Sequence, residues 1–132
     1  MADDLKRVVV WKNLLLDGRD YCALLRIAEV WLLKGAVVGV LEDQRPMLVN
    51  YEIYCDANWL TQRVQSKRTI ASDVKTLTLG VERRGVWRSS GQELREIRGC
   101  DDIDLAVTPA TNPLPIRRLS LQIGSSESII AA

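Results

Sequence analysis

The 132 residues contain no histidine. Its absence removes the commonest general base, the commonest transition-metal ligand and the Ser-His and Cys-His pairings that activate most hydrolytic nucleophiles. Any chemistry would have to run on carboxylates, Lys, Tyr or Cys. A charge excess is lacking as well: 18 Lys and Arg stand against 17 Asp and Glu, a formal +1, so no summed field holds a polyanion by counterion release and nucleic acid is not an expected partner. Cysteine is limited to Cys22, Cys55 and Cys100. An odd number cannot all pair within the chain and no CxxC spacing occurs, so small buried thiols are expected rather than a zinc site. Neither a metal nor a cofactor is implied. No apolar run is long enough to cross a bilayer, and "MADDLKRVVVWKNLLLDG" has acids before a short apolar run and no small-residue cleavage site, so it does not read as a secretory signal. A cytoplasmic location is expected. Repeats and linkers are missing, apart from a small-residue tail, "GSSESIIAA", expected to fray. At this length residues 1–132 read as one domain.

Period-two alternation is what the chain does have. In "MLVNYEIYCD" Met47, Val49, Tyr51, Ile53 and Cys55 take one face, and Leu48, Asn50, Glu52, Tyr54 and Asp56 the other, the pattern of a half-buried strand. It returns in "DVKTLTLGVERR", and in "RLSLQI" as Leu119, Leu121 and Ile123. Turn chemistry separates such runs at "LDGRD", "EDQRP", "CDAN", "ERRG" and "SSGQ". Two stretches, "YCALLRIAEVW" and "LLKGAVVGVLE", are apolar on both faces; the β-branched Val37, Val38 and Val40, with Gly35 and Gly39, favour strands over helices. The expected fold is all-β: an antiparallel meander curled into a roll or partly open barrel.

The segment "GCDDIDLAVTPATNPLPIRRL" breaks the pattern. Alternation around Ile103, Leu105 and Val107 puts Asp102 and Asp104 on one strand face, attached about 6.6 Å apart. Pro109, Pro113 and Pro115 then make a stiff crossover that cannot be a central strand, and Thr111 and Asn112 are suited to bonding nearby backbone. Arg117 falls in step with Leu119, Leu121 and Ile123, on the apolar face. A buried arginine demands a carboxylate or a ligand anion: an internal Arg–Asp pair pinning the crossover, or Arg117 or Arg118 awaiting the head group of an amphiphile.

The stretch "CDDIDLAVTPATNPLPIRRL" resembles the signature of the putative glycolipid-binding family of bacterial proteins, and "VVWKNLLLDGRDY", "YEIYCDANWLTQRV" and "GVWRSSGQ" resemble its earlier strands. The resemblance implies a spiral β-roll similar to lipoprotein carriers, an apolar cavity and binding rather than catalysis. It carries to Asp102, Asp104, Thr108, Pro109, Thr111, Asn112, Pro115, Arg117 and Arg118, with Tyr51, Cys55, Asp56 and Trp59 upstream. The family pattern continues past Ala132, so an incomplete roll with an open edge is expected, and with it a homodimer formed through that edge.

The expected function is therefore non-enzymatic binding of a glycolipid or fatty-acyl amphiphile. Leu24, Val38, Val40 and Ile53 would face the acyl chain. Arg117, Arg118, Asp102, Asp104, Thr108, Asn112, Tyr51 and Trp59 would orient the head group. Two alternatives stand beside it. One is a sugar-processing enzyme using Asp102 with Asp104 or Asp56 as acid and base; the other is a structural module that dimerises and takes no ligand. Trp11, Trp31, Trp59 and Trp87 read as amphipathic core fillers before sugar platforms.

Overall fold

The structure is a computed structural model that describes residues 4–14 and 16–132. Its strands are β1 (Asp4–Asn13), β2 (Asp17–Ile27), β3 (Val30–Val40), β4 (Pro46–Cys55), β5 (Thr61–Ile70), β6 (Asp73–Arg83), β7 (Val86–Ser89) and β8 (Gln92–Glu93). Each pairs antiparallel with the next in the order β1 to β8. The sheet is thus the expected meander, and it does not close into a barrel: β1 and β8 are its edges.

The alternation of β4 is realised in full. Met47, Val49, Tyr51, Ile53 and Cys55 are buried, while Leu48 and Asn50 are exposed. Register carries this face across the sheet, with Val37 opposite Asp20 and Val49, Leu33 opposite Ile53, and Val64 opposite Ile53 and Leu79. We call it the inner face. The two doubly apolar stretches are strands β2 and β3, joined by a short turn at Ala28, whose φ is +52°. A positive φ at the start of a two-residue connection matches the right-handed twist of the strands it joins.

What covers the inner face is the segment after β8. Ile103, Ala110 and Leu114 pack into the same cluster as Val49, Tyr51, Ile53, Val64 and Trp87. Burying Ile103 and Leu114 contributes about 1.5–3 kcal/mol each and holds the segment down. Ile53, expected to face a lipid, is fully buried in this protein core. The concavity that a roll would offer is therefore largely filled by the chain itself.

The segment departs from its period-two reading. Instead of a strand, "PIRRLSLQI" supplies the end of α1 (Pro113–Arg118) followed by turns. Pro113 and Pro115 lie in the first turn of α1, where their missing N–H groups cost no hydrogen bond. Helical rotation then reverses the expected roles of the arginine pair. Arg117 is exposed and Arg118 turns inward, its Nε and Nη2 donating to Asp102 Oδ1 and Oδ2 at 3.1 and 2.8 Å. Asp102 and Asp104 likewise do not share a face: Asp102 and its neighbour Ile103 are both buried, whereas Asp104 is exposed. The tail is not frayed at its end. Ala132 N–H donates to Asp102 O and Asp104 N–H to Ala132 O, each at 2.9 Å, around a parallel bridge between Asp102 and Ala131.

Candidate ligand-binding site

On the inner face, the covering segment leaves a cleft beside β1–β3. Its polar part, about 370 Å³, is lined by Trp11, Lys12, Asn13, Arg19, Asp20 and Val37 from the sheet and by Val107, Thr108, Pro109 and Asn112 from the crossover. An apolar part of about 190 Å³ shares Asn13, Val37, Ala106 and Val107, and extends along Gly18, Gly39, Val40, Leu41 and Met47. Sequence explains the hollow. Gly18 and Gly39 face each other across β2 and β3, and a Cβ on Gly39 would come 3.0 Å from Asp17 O and 3.3 Å from Gly18 Cα. The strands therefore meet without side chains to fill the floor.

Behind the polar part lies a buried cluster. Asp20, Tyr51 and Thr108 are all nearly inaccessible. Tyr51 Oη donates to Asp20 Oδ1 at 3.1 Å, Thr108 Oγ1 donates to Asp20 Oδ2, and Thr108 Oγ1 in turn accepts from Ala110 N–H at 3.1 Å. That last bond caps the 3-10 turn Pro109–Thr111. Burial raises the Asp20 carboxyl above the usual range, partly offset by the Thr108 and Tyr51 hydrogen bonds. Burial also raises the Tyr51 phenol, strongly, and the Cys22 thiol. The cleft thus has a buried acceptor group at one end and a glycine-floored apolar slot at the other.

Of the residues proposed from sequence, Thr108 and Asn112 line the polar part and Val40 the apolar part, while Tyr51 stands behind Asp20. Val38 lies elsewhere: register puts it on the outer face, beside Arg19 and Leu48, and it is 58% exposed. Asp102 and Arg118 are held by each other, and Asp104 Oδ1 accepts from Thr111 Oγ1 at 3.1 Å. Trp59 belongs to a different corner. Its ring stacks on Trp31 at 4.5 Å, with Arg117 over its other face at 5.1 Å and Arg26 over the far side of the pair at 4.5 Å from Trp31. Both Trp59 faces are therefore occupied. Asp56 closes the turn beneath by accepting from Asn58 N–H and Leu60 N–H.

Asp20 and Trp11 were not proposed as site residues from sequence. A signal for Asp20 existed: it is in step with Cys22 and Leu24 on the inward alternation of β2, an acid on an apolar face. A second depression, about 530 Å³ beside the β4–β5 turn, is lined by Val30, Tyr54, Asp56 and Gln62, but it is more open and these four residues are only partly buried. Among the described residues there is no cluster of three carboxylates or thiols able to hold a metal ion, and no helix is long and apolar enough to cross a membrane.

The protein is all-β: an eight-stranded antiparallel meander with its inner face covered by a proline-rich crossover and a part-polar, part-apolar cleft between the two. The putative glycolipid-binding family matches residues 8–132, and the chain belongs to it. The fold is similar to the crystal structure of a DUF1089 family protein from Pseudomonas aeruginosa, with 28% identity and a TM-score of 0.75, over 96% of this chain and 69% of that one. No curated protein matches the sequence.

Proposed function

We propose that the protein binds an amphiphile without transforming it, the head group at Trp11, Asp20, Thr108 and Asn112 and the aliphatic part against Val40, Leu41, Met47 and Val107. The observation that carries this reading is the continuity of the two parts of the cleft, which share Asn13, Val37, Ala106 and Val107. The polar volume, about 370 Å³, falls within the range of small-ligand sites, roughly 300–1,000 Å³. Asp20 is a ready acceptor for a sugar hydroxyl, and Trp11 offers an amphipathic ring beside it. The family's description agrees with a glycolipid. The binding reading is further supported by the acids first suspected of catalysis: Asp102 and Asp104 are engaged by Arg118 and Thr111, and Asp56 caps a turn.

A fluorescent glycolipid or fatty-acid probe tests this. Ala106 is an exposed residue that lines both parts of the cleft, so Ala106→Trp should obstruct the cleft without overpacking the core. The parent should bind the probe and the variant should lose at least about tenfold in affinity with nearly unchanged melting. No probe binding by a folded parent, and no amphiphile copurifying in native mass spectrometry, would overturn the reading.

A further inference from the structure

The outer face of β1–β4 carries an apolar surface that nothing in the chain covers. Register places Val10, Tyr21 and Ala36 in one row and Lys12, Arg19, Val38 and Leu48 in the next. Val10 is 62% exposed, Val38 58% and Tyr21 50%. Leu14, in the β1–β2 turn at the same end, is 86% exposed. Four strands at about 4.8 Å spacing make this a patch about 15 Å across.

Cations outnumber acids on this face. Its rows hold Lys12, Arg19 and Lys34, with Lys67 on the adjoining β5, against Asp17 and Glu52. Glu52 is engaged by Lys34 at 3.6 Å and accepts from Tyr54 Oη at 2.7 Å. Among the described residues no carboxylate lies within ion-pair distance of Lys12, Arg19 or Lys67. A chain whose formal charge is only +1 thus carries a local excess of cations beside exposed Val, Leu and Tyr side chains. Lys12 and Arg19 belong to this surface by register and also line the polar cleft.

We propose that the outer face of β1–β4, with the β1–β2 turn, docks on an anionic lipid bilayer. Exposed aliphatic side chains enter the head-group boundary, Tyr21 sits at the interface where amphipathic rings are favoured, and the four cations meet the lipid phosphates. The alternative occupants fit less well. A second copy would bring the same cations against themselves across a two-fold axis, and a nucleic acid would leave Leu14, Val10 and Val38 without apolar partners. The docking itself does not depend on what the cleft holds.

Cosedimentation of the full chain with vesicles tests the proposal. Phosphatidylcholine vesicles containing about one-third phosphatidylglycerol, and no glycolipid, should bind the protein, binding should weaken as salt is raised, and pure phosphatidylcholine vesicles should bind far less. Two variants outside the cleft separate the contributions: Leu14→Asn/Val10→Thr/Val38→Thr and Lys34→Gln/Lys67→Gln should each lose about tenfold in partition while keeping probe binding and melting behaviour. Absence of binding by the folded parent at low salt, equal binding to both vesicles, or unaltered partition of both variants would overturn it. So would a dimer that forms without lipid and is broken by the valine and leucine substitutions. Loss of probe binding with vesicle binding intact would instead count only against the ligand assigned to the cleft.

Discussion

The ring of Tyr51 lies directly on Gly35. The two residues are opposite each other in the β3–β4 register, and a Cβ built on Gly35 would fall 2.3 Å from Tyr51 Cζ and Oη and 2.6 Å from Tyr21 O. The missing side chain lets the tyrosine cross β3 and put its hydroxyl on Asp20 of β2. A strand glycine thus lets the tyrosine reach the acid buried behind the cleft's polar part.

Gly35→Ala should destabilise the fold by about 3 kcal/mol, at the upper end of overpacking, because backbone as well as the ring obstructs the added methyl. Tyr51→Phe should cost about 1–3 kcal/mol through the donor removed from buried Asp20. Urea midpoints decide. A wild-type midpoint for Gly35→Ala would mean that the ring does not rest there.

Arg118→Ala should cost about 3–5 kcal/mol, since it strips the bidentate partner from Asp102, which is 1% exposed. Arg117→Ala removes an exposed cation over Trp59 and should cost about 0.5–1 kcal/mol. This ordering reverses the one expected from alternation. A double-mutant cycle with Asp102→Asn should show coupling for Arg118 and none for Arg117.

Asp20 gives a pH dependence with a defined sign. Its carboxyl is raised in the folded state by burial, so over the interval from about 4, the ordinary value, up to the raised value the folded chain holds a proton that the unfolded chain has released. The stability linked to Asp20 is fully present below this interval and is lost as pH rises through it. Melting of the parent against Asp20→Asn should show a parent curve falling more steeply with pH in that interval; parallel curves would rule the assignment out.

The thiols should be inert in the native state. Cys22, Cys55 and Cys100 are buried, and burial pushes the Cys55 thiol up to about 12. A chromogenic disulfide reagent at mildly alkaline pH should label none of them rapidly in folded protein and all three after denaturation. Rapid native labelling would show that a core strand opens.

The β1 edge is unpaired on one side over ten residues, and rows of free N–H and C=O groups recruit strands. A concentration-dependent dimer should therefore appear in sedimentation at micromolar protein. A monomer throughout would leave the edge without that role.

Much of this molecule follows from periodicity alone. Met47, Val49, Tyr51, Ile53 and Cys55 alternate because a strand with one buried face must, and the turns at Asp43–Arg45 and Asp56–Trp59 follow from local side-chain bonding that needs no distant partner. The meander follows in turn from strands separated by short connections.

The crossover was beyond that logic. Pro113 and Pro115 read equally as breakers of a strand or as the first turn of a helix, and the choice depends on where Leu114 finds an apolar surface, which is the inner face of strands distant in sequence. Once the helix forms, its rotation exchanges Arg117 for Arg118. The site obeys the same division. The composition of β2 and β3 made glycines and an inward acid visible in the sequence. Their meaning, a floor left open by Gly18 and Gly39 and an acceptor held by Tyr51 and Thr108, exists only because β2, β4 and the crossover converge in space, and non-local packing of that kind is decided by the tertiary structure.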